Sequence, residues 1–411
     1  MSKMNRFIFL GFLYFLNTVT VDGQNGTEEY DPTTGKLLFL HTIWRHGTRA
    51  PHGTYPNSVY NETTFYPGYG ELLALGMAEQ FILGGQLRQR YVTGMNFMSR
   101  TPDISEIHVR SSDYNRTILS AICNFYGFYS PSATEGKDYP GNTRWPRGLI
   151  PVPVHTVPYD TDTIFNQNAC PVQAQLQNLS METPGYLGLI DNYTEFFEIL
   201  ANKSGLDTST LDGKGTIVDA LSSEDAMGLQ MTDWGRASLS EAIQFWSTVF
   251  SRSVGMGVED YKNITLKEEL AKGSGGPILT EIVNRMNEKL ENYLNSSTSS
   301  WIRQLKYYSY SGHDTTLLSL FSTFGIQRSD INSDNPILPS STICVELWVD
   351  INNNTDVKVL YLRRNATLFQ DITPIITGCE QGCSLSQFTN RSIPYMWEDP
   401  DFCNYQYDIS G

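Results

Sequence analysis

Leu37-Leu38-Phe39-Leu40-His41-Thr42-Ile43-Trp44-Arg45-His46-Gly47-Thr48-Arg49-Ala50-Pro51 is the stretch on which the fold turns. Its apolar run, Leu37 to Trp44, reads as a buried strand, since a short unbroken hydrophobic segment suits a strand covered on both faces. The strand ends in arginines flanking a histidine, so fixed positive charge and an imidazole arrive together where strand becomes turn. Arginine presents a planar fork of donors that fits phosphate oxygens in pairs, which a lysine cannot do. Gly47 has no side chain, so the backbone there can come close to a ligand. A lone R-x-x-x-R is ordinarily a solvated basic turn, and the reading depends on what else converges on the same point.

Two further stretches share this grammar. After a loop rich in Pro, Tyr and Asn, Leu73, Met77, Phe81, Leu87 and Tyr91 recur at mostly helical spacing. Ile107-His108-Val109-Arg110 then alternates like a strand, turns through Ser111-Ser112-Asp113 and enters the helical run Thr117 to Ile122. Near the other end, Leu305 to Tyr310 leads through Ser311-Gly312 and His313-Asp314 into an apolar helix from Thr315 to Phe324. Strand, polar turn and helix, repeated, predict an α/β sandwich: a mixed, mostly parallel sheet with helices on both faces and ligands outside the carboxyl ends of the strands. Arg45, His46, Arg49, Arg110, His313 and Asp314 would all lie at that edge. Ile343 to Val349 and Val357 to Arg363 alternate as an antiparallel pair joined by Asp350 to Asp356. Between residues 131 and 235 the grammar stops, and prolines, helical pieces and loops predict an inserted, mainly helical cap. Residues 24–130 and 236–411 would form the catalytic α/β domain.

Residues 1–23, with Lys3 and Arg6 before the apolar stretch from Phe7 to Val21, read as a secretory signal peptide. N-x-S/T sequons recur from Asn25 to Asn390, as in a glycoprotein. The six cysteines form an even set suited to disulfides in an oxidising compartment, and Cys379-Glu380-Gln381-Gly382-Cys383 is spaced for a small loop bridge. A formal charge of -15 without a basic tract excludes nucleic acid and anionic membranes as partners. No second long apolar segment follows the signal, so a soluble, secreted or lumenal protein without a membrane anchor is expected. With six histidines, no H-E-x-x-H and no carboxylate-rich cluster at ligand spacing, neither a metal nor a cofactor is expected.

A phosphate monoester is a dianion with a poor leaving group, so three tasks must be filled. Arg45, Arg49 and Arg110 are candidates to hold the non-bridging oxygens. His46 is the candidate nucleophile, forming a phosphohistidine. Asp314 would protonate the departing alcohol, with His313 beside it as a further donor to phosphate. Taken alone, Asp314 reads more readily as a helix cap and Arg110 as a surface arginine.

These residues resemble the histidine acid phosphatases, in their secreted and lysosomal branch of the prostatic type. R-H-G-x-R-x-P stands intact at Arg45 to Pro51, His-Asp at 313–314, and the intermediate arginine in Val109-Arg110-Ser111-Ser112-Asp113. The resemblance implies a phosphoglycerate-mutase-like fold and metal-free hydrolysis of phosphate monoesters at acidic pH. His46 would be the nucleophile, Arg45, Arg49, Arg110 and His313 the phosphate ligands, and Asp314 the proton donor. It further implies disulfides Cys170–Cys403 and Cys379–Cys383. The usual cap-region partner of Cys344 has no equivalent, which leaves Cys123 and the expectation of a Cys123–Cys344 bridge. Small phosphate monoesters are the expected substrates, with a phosphoprotein or lysophospholipid within the class, and the prostatic type implies a homodimer. A phytase acting on inositol phosphates is the alternative on this fold, although residues 151–200 hold no Lys or Arg until Asn202-Lys203. A non-catalytic secreted glycoprotein is the contrasting class.

Overall fold

A six-stranded sheet in the order β2-β3-β1-β4-β5-β6 organises the molecule. The computed structural model describes residues 35–142, 144–295, 300–327, 336–397 and 401–407. The signal peptide expected at 1–23 lies outside them. Strands β1 (Lys36–Arg45), β2 (Ile107–Ser111) and β3 (Tyr307–Gly312) run parallel. Strand β4 (Thr342–Val349) runs antiparallel to both β1 and β5 (Thr355–Leu362), and the short β6 (Gln370–Asp371) closes the far edge. Four of the six strands therefore point the same way, as the strand-turn-helix grammar predicts.

Each parallel strand feeds a helix. β1 leads through a long loop to α1 (Ala74–Arg88), β2 to α2 (Asn115–Tyr129) and β3 to α9 (Asp314–Thr323). Helices α1 and α2 cover one face of the sheet, where Leu83, Leu87, Phe125 and Phe128 pack with Leu40, Trp44 and Val109. The 29-residue α8 (Leu266–Leu294) and α9 cover the other, where Ile278, Ile282, Leu317 and Phe321 meet Phe39, Ile43 and Val345. Residues of β1 go to both cores, Leu37, Leu40 and Trp44 to one and Leu38, Phe39 and Ile43 to the other, which is why the strand reads as unbroken apolar sequence.

Between β2 and β3 lie α3 (Pro171–Met181), α4 (Pro184–Asn192), α5 (Thr194–Ser204), α6 (Leu211–Ala226) and α7 (Asp233–Ser253). Phe197, Leu200, Ile217 and Leu221 from this region form a separate small core with Phe245 and Val249 of α7, into which Tyr55 of the loop after β1 also inserts. Among the described residues, no helix is long and apolar enough to cross a membrane.

Cys170 bonds Cys403 and Cys379 bonds Cys383, as expected, but the third bridge is absent. Cys123 and Cys344 are free thiols. Helix α2 turns Ala121, Phe125 and Phe128 toward the sheet and leaves Cys123 only half-buried, whereas the Cys344 thiol is enclosed beneath the sheet surface against Tyr91 and Thr342.

Candidate active site

Register brings the site together. Arg45 of β1 stands opposite Gly312 of β3, so the next residue of each strand, His46 and His313, emerges beside the other. The His46 N–H donates to the Gly312 carbonyl at 2.9 Å, and the two imidazole centroids lie 5.6 Å apart. Asp314 follows as the first residue of α9; His313, and not Asp314, holds the cap position.

The loop carrying the R-H-G-x-R motif is pinned from α1. Glu79 accepts from the Thr48 N–H and Oγ1, each at 2.8 Å, and pairs with Arg364 at 2.7 Å. Gln80 donates to the Arg45 carbonyl at 2.9 Å. Gly47 serves a different end from the one the sequence suggested. A Cβ there would stand 2.2 Å from the Gly76 carbonyl oxygen, so the glycine admits helix α1, and not a ligand, to close approach.

His46 is buried, and its Nδ1 lies 2.8 Å from the Gly47 carbonyl. A carbonyl can only accept, so Nδ1 carries the proton and Nε2 keeps its lone pair. Burial first, then the charges of Arg45, His313, Arg116 and Arg49, hold the imidazole pKa well below 6.5. The ring therefore stays neutral in acid. His313 is lowered to about 3 by burial and then by Arg116, with its Nε2 2.9 Å from the Ser112 hydroxyl.

Arg45 bonds Asp314 at 3.0 Å and donates to the Ile337 carbonyl. Burial pushes the Asp314 carboxyl up, but Arg45, His313, the Thr315 N–H and Arg49 pull it below its ordinary value. Arg49 reaches across to α6, where both its terminal nitrogens engage Asp219, at 3.1 and 2.8 Å. Asp219 also accepts from the His52 N–H at 2.7 Å, so one carboxylate of the helical region ties down the C-terminal end of the motif loop.

Of the expected site residues, Arg45, His46, Arg49, His313 and Asp314 line one cleft of about 920 Å³. Arg110 does not. It donates to Asp162 at 2.7 Å and to the Ser111 carbonyl at 3.0 Å, and its guanidinium lies over the Phe165 ring. The pleat of β2 sends Val109 toward α2 and its neighbours His108 and Arg110 to the opposite face. The arginine that lines the cleft is Arg116, in the first turn of α2. Its guanidinium stacks 4.3 Å from the Tyr114 ring, its Nε has no hydrogen-bond partner, and among the described residues it makes no ion pair. Arg116, like Asp314, stands in the first turn of the helix that follows a sheet strand, the signal by which it was findable. Asp219 carried none, since its helix is distant in sequence.

A mixed sheet with this topology and a basic, histidine-bearing cleft at its carboxyl edge define a histidine phosphatase architecture. The chain belongs to the histidine phosphatase superfamily, branch 2, whose family model matches residues 36–362. It is similar to rat lysosomal acid phosphatase, 30% identical over 367 residues that cover 88% of this chain and 79% of the relative. Human lysosomal acid phosphatase is 30% identical over 371 residues, covering 90% and 80%. Bovine prostatic acid phosphatase is 28% identical over 371 residues, covering 89% and 86%. Among solved structures, a Hafnia alvei phytase in complex with tartrate shares the fold, with a TM-score of 0.63 at 16% identity, covering 91% of this chain and 99% of that one.

Proposed function

We propose that the protein is an acid phosphatase that hydrolyses phosphate monoesters through a phosphohistidine on His46. The observation that carries this is a buried imidazole with its Nδ1 proton on the Gly47 carbonyl and its Nε2 free, among four cleft arginines and beside Asp314. Relatives named lysosomal and prostatic acid phosphatase support it. Arg45, Arg49 and Arg116, with His313, hold the non-bridging oxygens. His46 Nε2 attacks phosphorus as the ester P–O bond breaks, and protonated Asp314 gives its proton to the departing oxygen. Water then attacks the phosphohistidine, Asp314 takes back a proton, and the P–N bond breaks to release phosphate and neutral His46. Arg45 and Asp314 separate in this scheme, because the arginine turns its donors to phosphate as the carboxyl is protonated. Export, lumenal or secreted residence and glycosylation belong to the same reading, supported by the two disulfides and by the lysosomal and prostatic names of the relatives.

A chromogenic aryl phosphate at acidic pH tests the proposal. The wild type should turn over and His46→Ala should lose about 10⁴-fold or more, as expected for a nucleophile. Equal rates for the two proteins would overturn it. Quenching in alkaline detergent should trap a phosphate on the wild type that is stable in alkali and released by acid.

A further inference from the structure

We propose that the side of the cleft facing the strand ends is a leaving-group subsite for a cation carried on an aromatic or apolar alcohol, built from Trp246, Ser247 and Asp212. It rests on the phosphomonoesterase reading above and names the substrates that reading leaves open.

Charge in the cleft is segregated. Each arginine that lines it, Arg45, Arg49, Arg116 and Arg364, comes from the strand-end side, and no lysine lines it. Helix α6 supplies the opposite wall with Asp212, Asp219 and Asp225. Asp219 is spent on Arg49 and the His52 N–H. Asp212 and Asp225 are exposed to the cleft, and among the described residues neither makes an ion pair. A second anionic group on the substrate would meet these carboxylates; a cation would be drawn to them.

The wall beside Asp212 is aromatic. Ile243, Trp246, Ser247 and Phe250 form one face of α7, and all line the cleft. Trp246 packs the six-membered end of its indole against α6 at Gly215, where a Cβ would stand 2.4 Å from its ring. Asp212 lies one helical turn before Gly215, so indole and carboxylate flank the same patch. An indole face with a carboxylate at its edge is the pairing that recognises an ammonium group.

An independent sign that a ligand belongs here is Ser247. It is 6% exposed, lines the cleft, and its hydroxyl has no hydrogen-bond partner. Helical serines commonly bond the carbonyl four residues back, as Ser238 bonds Trp234 at 2.8 Å in the same helix. Ser247 does not, and it offers an oxygen to a donor arriving in the cleft. Asp212 precedes Asp219 by two turns, about 10 Å along α6, and Asp219 marks the phosphate end through Arg49. The substrate thus carries its cation roughly 10 Å from phosphorus, a span a substituted phenyl ring fills.

Three para-substituted phenyl phosphates that differ only in the group at that distance test this: 2-aminoethyl, propyl and 2-carboxyethyl. At about pH 5.5 and low salt, kcat/KM should fall in the order cation, neutral, anion, with at least about tenfold between the first and last. In Asp212→Asn the cation-to-anion ratio should fall by at least about threefold, as expected for loss of a local charge. Equal kcat/KM for the three esters in the wild type, or an unchanged ratio in the variant, would overturn the subsite. Calorimetric titration with tyramine and with 3-(4-hydroxyphenyl)propionate, the leaving alcohols, separates it from the catalytic reading. Tighter binding of tyramine by wild type only, without turnover, would uphold the subsite and sink the phosphatase; turnover without that preference would do the reverse.

Discussion

At Asp314 two demands conflict, and the conflict sets a pH dependence. As a proton donor it must be protonated, yet Arg45, His313, the Thr315 N–H and Arg49 together outweigh its burial and hold its pKa below the ordinary carboxyl value. A bound phosphate dianion cancels the field of those arginines and raises the pKa in the complex. Activity therefore falls as pH rises through the Asp314 pKa, and it falls at higher pH for kcat, which reports the complex, than for kcat/KM, which reports free enzyme. The two descending limbs should differ by about one unit or more. Asp314→Asn should lose roughly 10²–10⁴-fold on alkyl phosphates and much less on aryl phosphates with good leaving groups. A descending limb that persists unchanged in Asp314→Asn would assign it to another group. The arginines divide in the same way. Arg116→Ala, which removes an unpaired guanidinium from the cleft, should cost about 10²–10³-fold in kcat/KM. Arg110→Ala strands a buried Asp162 carboxylate, so it should lower stability by about 3–5 kcal/mol and leave kcat/KM of the folded enzyme within about threefold. Denaturant melts and steady-state kinetics on both variants would separate the roles, and the reverse pattern would restore Arg110 to the site.

Elements that announce themselves by local pattern were legible, and those that depend on distant partners were not. The three strand-turn-helix units and the β4-β5 pair were readable because each strand ends in Gly or polar turn residues and each following helix has an apolar face. Register then did what composition could not, placing His46 beside His313 through the pairing of Arg45 with Gly312. Helix α8 gave no such signal, because Gly273-Ser274-Gly275-Gly276-Pro277 reads as a breaker. In the fold those small residues are what allow contact: a Cβ on Gly275 would stand 2.3 Å from the Ser319 carbonyl oxygen of α9. Arg110 misled because strand-end position was read without the pleat, and Cys123 because an unpaired cysteine was matched by elimination. Gly47 belongs with α8 in this respect. Gly47→Ala would force α1 away from the motif loop, costing about 3 kcal/mol or more and displacing His46, so melting temperature and kcat should fall together. A variant of wild-type stability and activity would show that α1 can yield without moving the loop.

The molecule as a whole joins a phosphate-binding sheet edge to a helical wall with its own small core, and acid favours that union at Glu224. Glu224 of α6 is 1% exposed in this small core, both its oxygens lack hydrogen-bond partners, and Tyr55 of the motif-side loop faces it. Burial pushes the carboxyl pKa up, against a smaller downward pull from the Tyr55 hydroxyl, and the Tyr55 pKa is pushed up to about 12. The folded state thus binds the Glu224 proton more tightly than the unfolded chain does. This contribution to stability is fully present below the unfolded value, near 4.5, and is lost as pH rises through the folded value. Unfolding free energy should therefore decline from about pH 4.5 upward in the range where a surface carboxylate would contribute nothing. Glu224→Gln keeps the shape without the ionisation, so it should flatten that decline and melt higher than wild type at neutral pH. Thermal melts of both proteins from pH 4 to pH 8 decide the matter: parallel curves would remove Glu224 as the source, and convergence at the acid end with divergence at the neutral end would establish it.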